Sequence, residues 1–290
     1  MEQTAVLNGN HYAIALPWKS SPPLPPNDGV MALLRLMLLK TRFRKDPGLF
    51  SKYTHVMDDH LHKGYTEKVP ESLLDRSDSM VSYLSHHPDK TRVVFDCAAK
   101  FREVSWNDKL LQGPDFTNTL VGVMTRFRLE PIALMSDIEA MFHQVEVAPD
   151  HCDALRFLWW PRNDMEMEPQ DYRLTVFPFG AVCSPSCAGY ALHRTAQDNE
   201  GLFPPEVIET VNKNFYVDDC LNSVTDEDSA VSLVPKLGQL LSNGGFHLTK
   251  WVSNSPNVLA TIPESERTKS VKDHQLGVMP SQGPLASSVI

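Results

Sequence analysis

Residues 214–224 read NFYVDDCLNSV. Two β-prone arms flank an Asp-Asp pair, and Asp is a common residue of tight turns. The stretch therefore predicts a β-hairpin with Asp218 and Asp219 at its tip. A third carboxylate, Asp137, directly follows IALMS at 132–136, which has the composition of a strand. A strand end and a hairpin tip both let short side chains point into a cleft, and the intervening chain is long enough to make the two strands neighbours.

Three carboxylates brought together in this way would repel one another. Hard divalent cations relieve such repulsion, and Mg²⁺ takes oxygen ligands from carboxylates and from substrate phosphates. Two such ions about 3.5–4 Å apart support phosphoryl transfer. From spacing alone, a structural turn pair and an unrelated helix-capping Asp remain the alternative.

Outward from the hairpin, strand-like and helix-like segments alternate irregularly, which favours an α+β fold over a doubly wound sheet. Helices are predicted from Asn27 or Asp28, from Asp46-Pro47 to a stop at Gly64, and at 184–197, 205–211 and 228–241. Strands are predicted at 92–95, 132–135, 145–147, 155–160, 172–177 and 246–252.

The end of the first predicted helix and the turn that follows carry a local excess of positive charge. Its apolar side is predicted to consist of Val30, Leu33, Leu34, Met37 and Leu38. The basic cluster comprises Arg35, Lys40, Arg42, Arg44, Lys45 and Lys52, against Asp46. A solvated face and a contact surface for a phosphate backbone both fit this pattern. The nearby DDHLH at 58–62 contains metal-ligand residue types, but we interpret them as solvated helix residues.

Composition limits the class of protein. The chain has 290 residues, 42% of them hydrophobic, and a formal net charge of −9, which argues against a simple polybasic nucleic-acid binder. The start, MEQTAVLNGNHY, lacks the features of a signal peptide, and no apolar run is long enough to span a bilayer. Five Cys without a CxxC pair are typical of reduced thiols. We therefore expect an intracellular protein, cytoplasmic or nuclear, without membrane contact.

Four motifs in order carry a family resemblance. FYVDD at 215–219 resembles the catalytic hairpin of reverse transcriptases, and MSDIEAMFHQVEV at 135–147 resembles their first catalytic-aspartate motif. FPFGAVCSP at 177–185 resembles the template-grip motif, and GGFHLTKWVSN at 244–254 resembles the palm segment that follows. The chain is thus similar to the reverse transcriptase domain of LTR retrotransposons, most closely the BEL/Pao type, over about residues 9–270.

The resemblance implies catalytic and metal-binding roles for several residues. Asp137 and Asp218 would ligate two Mg²⁺ ions, with Mn²⁺ as a substitute, and Asp219 would assist. The backbone carbonyl of Ile138 would complete one metal shell. Lys250 is implied as a general acid for pyrophosphate, although a surface lysine fits the loose spacing equally well.

The resemblance also implies a binding site for deoxynucleoside triphosphates. Phe142 would form an aromatic wall that excludes a 2′-OH, and Phe179 stands where retroviral enzymes carry Gln. Gly180 would let the backbone approach the nascent base pair because it lacks a Cβ atom. The other implied substrate residues are Lys90, Arg92, the amides of Ala140 and Met141, and Tyr216 of the hairpin.

As a fold, the resemblance implies the fingers and palm of a right-handed polymerase, with an antiparallel palm sheet backed by helices. Residues 1–130 would form an N-terminal segment and fingers, mostly helical to about residue 65 and then strands. Residues 131–262 would form the palm, with inserted fingers strands at about 145–178. We expect residues 263–290 to be a truncated, disordered tail.

The implied function is RNA-directed DNA synthesis on an RNA or DNA template-primer; the sequence indicates no oligomeric state. A catalytically inactive relic that binds nucleic acid or a protein partner is the alternative. An unrelated Asp-based metallohydrolase fits less well, because no nucleophile constellation or His-containing ligand set lies near the aspartates in the sequence.

Overall fold

A computed structural model describes residues 1–20, 29–76, 80–86, 93 and 95–268. Strands in this part of the chain are β1 Val6–Asn8, β2 His11–Ile14, β3 Thr66–Lys68, β4 Lys100–Phe101, β5 Val104–Ser105, β6 Ile132–Ile138, β7 Glu146–Val147, β8 Arg156–Trp159, β9 Gln170–Leu174, β10 Phe215–Tyr216, β11 Asp219–Val224 and β12 Leu248–Ser253. Helices are α1 Gly29–Lys45, α2 Pro47–His62, α3 Glu71–Leu74, α4 Leu120–Arg126, α5 Ser184–Asp198, α6 Pro205–Lys213, α7 Glu227–Ser242 and α8 Pro256–Thr261. The expectation of a mixed α+β fold is confirmed.

The chain forms two compact units. Of the described residues, the first unit comprises those within 1–116, 140–198 and 242–246, and the second comprises those within 117–139, 199–241 and 247–268. No helix of the described residues combines the length and the apolar character that a membrane crossing requires.

The first unit contains three small sheets and the two long N-terminal helices. β3, β9 and β8 form an antiparallel sheet, β1 and β2 pair antiparallel with β7 alongside β2 in parallel, and β4 pairs with β5. α2 begins as predicted, because an Asp46 carboxylate oxygen accepts from the Leu49 amide at 2.9 Å. It ends at His62, just before Gly64, whose φ of +72° suits a helix stop.

The buried face of α1 differs from the predicted one. Ala32, Leu36, Leu39 and Phe43 are buried, whereas Val30 and Leu38 are 73% and 64% exposed. The helix is apolar on more than one side, so hydrophobicity could not select which side packs. The aromatic side chain of Phe43 packs at an angle against the rings of Tyr53 and Trp159 and marks the side of the helix that faces the core.

The basic cluster, most of which lies on α1 itself, is partly neutralised within the first unit. Arg35 pairs with Asp96 at 2.7 Å, and Arg44 pairs with Glu166 at 2.8 Å. Lys40 lies 3.6 Å from the same Glu166 carboxylate. These pairs reduce the charge available to an external phosphate backbone.

The second unit is built on one antiparallel sheet with strand order β10-β11-β6-β12. Along β6, Leu134, Ser136 and Ile138 are buried, while Met135 and Asp137 alternate with them on the more accessible face. α4 and α6 contact the β10–β11 hairpin, and α8 contacts β12. α7 begins after Asp226, whose carboxylate accepts from the Ser229 amide at 2.7 Å, and buries Leu237, Leu240 and Leu241. The expectation of an antiparallel sheet formed by these strands is confirmed.

Candidate active site

The 215–224 hairpin forms with a two-residue loop. Phe215 pairs with Cys220 and Tyr216 pairs with Asp219, so Val217 and Asp218 are the loop residues. Val217 has a φ of +57°, a left-handed conformation that a β-branched residue rarely adopts. The hairpin therefore places Asp218 at the loop and Asp219 at the first position of β11, at the cost of local backbone strain.

Replacing Val217 with Gly should release this strain. Because Val217 is 37% exposed, little packing would be lost, and we expect the free energy of unfolding to rise by about 1 kcal/mol. Urea denaturation of the two proteins measures the change. The control is Val121→Gly on the exposed side of α4, where glycine should destabilise by about 0.5 kcal/mol. A destabilised Val217→Gly protein would contradict the strain argument.

Asp137 and Asp219 lie directly opposite each other in the β6–β11 ladder. The ladder continues through one more hydrogen bond, from the Ile138 amide to the Asp218 backbone oxygen at 2.9 Å. The side chain of Asp137 is 21% exposed and Asp218 is half-buried, whereas Asp219 is exposed. The three aspartates therefore meet at the end of two neighbouring strands.

The charges at this end of the sheet influence one another. Partial desolvation of the Asp219 carboxyl raises its pKa, and the negative charges of Asp218 and Asp137 raise it further. Lys250 acts in the opposite direction and lowers it. The aspartates are thus close enough to repel one another.

Lys250 contacts this cluster from the neighbouring strand. Its Nζ donates to Oδ1 of Asp137 at 2.9 Å. That hydrogen bond raises the pKa of Lys250, and the charges of Asp137, Asp218 and Asp219 contribute in the same direction. Lys250 therefore carries its proton at neutral pH.

The aspartates match Mg²⁺ in donor type, since hard cations prefer carboxylate oxygens. The amide of Ile138 faces the hairpin, and in an extended strand the carbonyl of the same residue points to the same edge. Among the residues that the structure describes, no three His, Cys, Asp or Glu side chains converge as a preformed metal site. Asp137 instead contacts the Lys250 ammonium, whose charge also influences Asp219.

A second polar group lies beside the aspartates and was missed by sequence reasoning. His247 Nδ1 is 3.2 Å from a Glu139 carboxylate oxygen, and its Nε2 is 3.4 Å from Glu266. The Glu139 amide also donates to the His247 backbone oxygen at 2.9 Å. Glu139 and His247 lie within the motifs at 135–147 and 244–254, but the resemblance implies no role for either of them. Glu266 lies outside the motifs and joins them only through the fold.

Several implied substrate residues lie in the first unit. Ala140 has a φ of +47° and precedes a single 3-10 turn, Met141–Gln144, rather than an α-helix. Within this turn, Met141 is buried and Phe142 is half-buried. The Phe142 ring packs against Phe179 with centroids 4.9 Å apart, and Phe179 remains 46% exposed. The structure thus brings together two aromatic residues that are far apart in the sequence.

Gly180 follows this aromatic pair in a turn. Its φ of +97° is one that residues with a Cβ atom rarely adopt, so the backbone conformation of the turn explains why glycine stands at this position. The side chain of Asn107 holds the turn. Its Nδ2 donates to the Gly180 carbonyl at 2.9 Å, and its Oδ1 accepts from the Val182 backbone amide at 3.0 Å. Sequence reasoning had assigned no role to Asn107.

Two further groups from the sequence need separate mention. Lys90 and Arg92 lie outside the described residues, as does most of the predicted 92–95 strand. His60, predicted to be solvated, is instead buried beside His143, with ring centroids 5.2 Å apart. It completes the buried side of α2, where the apolar pattern lacks a residue.

No family model matches the chain, and no curated protein is significantly similar to it. Solved structures do match. A foamy viral protease-reverse transcriptase in complex with double-stranded DNA has 16% identity and a TM-score of 0.47, with 67% of this chain and 29% of that chain covered. The same kind of protein with an RNA/DNA hybrid has 18% identity and a TM-score of 0.48, with 67% and 22% covered. A mutant of the prototype foamy virus protease-reverse transcriptase has 20% identity and a TM-score of 0.47, with 82% and 27% covered. The chain spans less than a third of the length of these three proteins.

Proposed function

We propose that the chain is the fingers and palm portion of an RNA-directed DNA polymerase of an LTR retrotransposon, of the BEL/Pao type. The observation that carries the proposal is the register of the second unit's sheet, in which Asp137 lies opposite Asp219 and beside Asp218. The four sequence motifs in order support the same assignment. In this proposal the second unit contributes the palm.

The chain's own residues have separable roles in this reaction. Asp137 and Asp218 supply the carboxylates that would hold two divalent cations, and the Ile138 backbone edge lies beside them. When bound, such cations help to activate the primer 3′-OH and to stabilise the leaving pyrophosphate. Lys250, protonated beside Asp137, is a cation at the same place and a candidate proton donor.

The first unit would contribute selection of the deoxynucleotide. Phe142 and Phe179 form a partly exposed aromatic pair, and a rigid ring of this kind can exclude a 2′-OH by contact. The Ala140 and Met141 amides at the start of a 3-10 turn are candidate donors to phosphate oxygens. Arg92 and Lys90 remain candidate triphosphate contacts on the family resemblance alone.

Primer extension tests the proposed function. The full chain is incubated with a DNA primer on an RNA template, deoxynucleoside triphosphates and either Mg²⁺ or Mn²⁺. We expect template-dependent extension that requires the divalent cation. Template binding without any extension at low salt would contradict the polymerase assignment and favour the catalytically inactive, nucleic-acid-binding alternative.

Trimming Phe142 tests the assignment of the sugar-contacting residue. Phe142→Val should reduce discrimination against ribonucleotides by at least about tenfold, because the wall is removed while the aspartates are untouched. Incorporation of matched ribo- and deoxyribonucleotides by the same enzyme measures the ratio. Phe50→Val removes the same atoms from a half-buried ring on α2 and should leave the ratio unchanged. An unchanged ratio in Phe142→Val would show that Phe142 is a packing residue.

A further inference from the structure

The backbone at Lys250 departs from regular strand geometry. Thr249 pairs with Asp137 and Val252 pairs with Met135, so both Lys250 and Trp251 lie opposite Ser136. Lys250 has a φ of +55°, which is costly for a residue with a long side chain. A bulge of this kind re-aims a side chain, and here it accompanies the Lys250 contact with Asp137 while Trp251 is buried.

The bulge places the positive charge of Lys250 near the negative charges of Asp137, Asp218 and Asp219. The Lys250 ammonium lies 2.9 Å from Asp137 Oδ1, and its side chain is 64% exposed. It is the basic group that offsets the repulsion from Asp218 and Asp137 felt by Asp219. A cation in this position stabilises the aspartates against mutual repulsion.

We propose that Lys250 is the resident counter-cation of Asp137 and that a divalent cation must displace its ammonium to bind there. This inference rests on the proposed function, since it concerns the same carboxylates. The ammonium lies 2.9 Å from Asp137 Oδ1, so a divalent ion bound to the same oxygen would lie within a few ångströms of a like charge. Repulsion at that distance makes the ammonium and the divalent ion compete for Asp137. Binding of the divalent ion and release of Lys250 are then a single exchange, and Lys250 sets the affinity of the site.

Direct measurement of Mn²⁺ binding tests the exchange without any assay of activity. Free Mn²⁺ is counted by its electron paramagnetic resonance signal during titration of the full chain. Lys250→Met keeps a long side chain but removes its charge. We expect this variant to bind Mn²⁺ about tenfold more tightly than the unmodified protein. Lys250→Arg keeps the charge and should bind as weakly as the unmodified protein. Lys236→Met on α7, whose ammonium contacts Ser232, is the matched control and should change nothing.

Thermal unfolding supplies an independent readout. Without divalent cations, Lys250→Met should unfold at a lower temperature than the unmodified protein, because the aspartates lose their counter-charge. With saturating Mn²⁺, the same variant should show the larger upward shift. If Lys250→Met does not fold, Lys250→Gln replaces it in both measurements.

The outcomes separate this inference from the proposed function. If Lys250→Met binds Mn²⁺ no more tightly while Asp137→Asn weakens binding at least tenfold, the metal site stands and the exchange is wrong. If Asp137→Asn leaves Mn²⁺ binding unchanged in every background, both the exchange and the proposed metal chemistry are wrong. Tighter binding in Lys250→Met that disappears in the Asp137→Asn background supports both.

Discussion

Replacing Asp218 with Asn is expected to lower the rate of primer extension by about 10³-fold or more. The substitution keeps the size of the side chain and the two-residue hairpin loop, so the sheet register should survive. It removes one of the two charges proposed to hold the divalent cations, and electrostatic stabilisation of the transferring phosphoryl group is the main catalytic device in such reactions. Single-turnover extension of a labelled primer measures the effect.

Asp226→Asn is the matched control for this experiment. Asp226 belongs to the same unit and caps α7, and Asn caps helices about as well as Asp. The two variants change the net charge equally, but only Asp218 belongs to the aspartate cluster. A loss below about tenfold in Asp218→Asn, with folding intact, would remove the aspartate cluster from the chemistry.

The second large effect concerns stability and a carboxylate far from the proposed chemistry. Asp153 is fully buried in the first unit and accepts hydrogen bonds from three arginines. The distances are 2.8 Å to Arg76 Nη1, 3.0 Å to Arg156 Nε and 3.2 Å to Arg173 Nη1. Arg156 is itself buried and also donates to the Leu73 carbonyl at 2.6 Å. Asp153→Asn should lower the free energy of unfolding by about 3–5 kcal/mol, because it leaves the buried Arg156 guanidinium without its counter-ion, whereas Arg173 keeps its ion pair with Glu67.

Urea denaturation at neutral pH checks this value. Asp150 is an exposed residue of the 3-10 helix Pro149–Leu155, which also contains Asp153, and Asp150→Asn should change stability by less than about 0.5 kcal/mol. A comparably small change in Asp153→Asn would show that the arginines find other partners.

The same carboxyl makes stability depend on pH in a defined direction. Burial alone would raise the pKa of Asp153, but hydrogen bonds from Arg76 and Arg156, with the positive charges of Arg156 and Arg173, lower it below its ordinary value. Because the folded-state pKa is the lower one, Asp153 contributes its stability above about pH 4 and loses it as the pH falls further. The stability difference between the unmodified protein and Asp153→Asn should therefore narrow on acidification below pH 4.

How much the sequence could predict depends on how local each signal is. The hairpin and the helices α2 and α7 were predictable, because turn residues and caps such as Asp46 and Asp226 act within a few positions. The buried face of α1 was not, because its apolar residues surround the helix. Asp153 gave no signal, because two of its arginine partners, Arg76 and Arg173, lie far from it in the sequence.

In the candidate site, too, the local signals were predictable and the features set by distant strands were not. Motif order pointed to Asp137, Asp218, Asp219 and Lys250 as a group. The register that places Asp137 opposite Asp219 and the left-handed bulge at Lys250 are properties of pairing between distant strands. No glycine marks that bulge, so the sequence carries no sign of it.

The position of β6 in its sheet affects how the protein is made. Both neighbours of this central strand, β11 and β12, lie later in the chain, and the chain passes between the two units five times. During synthesis on a ribosome, Asp137 emerges long before residues 219–224 and 248–253 can pair with its strand. The sheet has a high contact order, and such long-range pairing is slow and leaves strand edges open in the meantime. A nascent chain stalled before β12 would carry the three aspartates but not the strand that contains Lys250. The site can therefore assemble only after β12, the last strand of the sheet, has been translated.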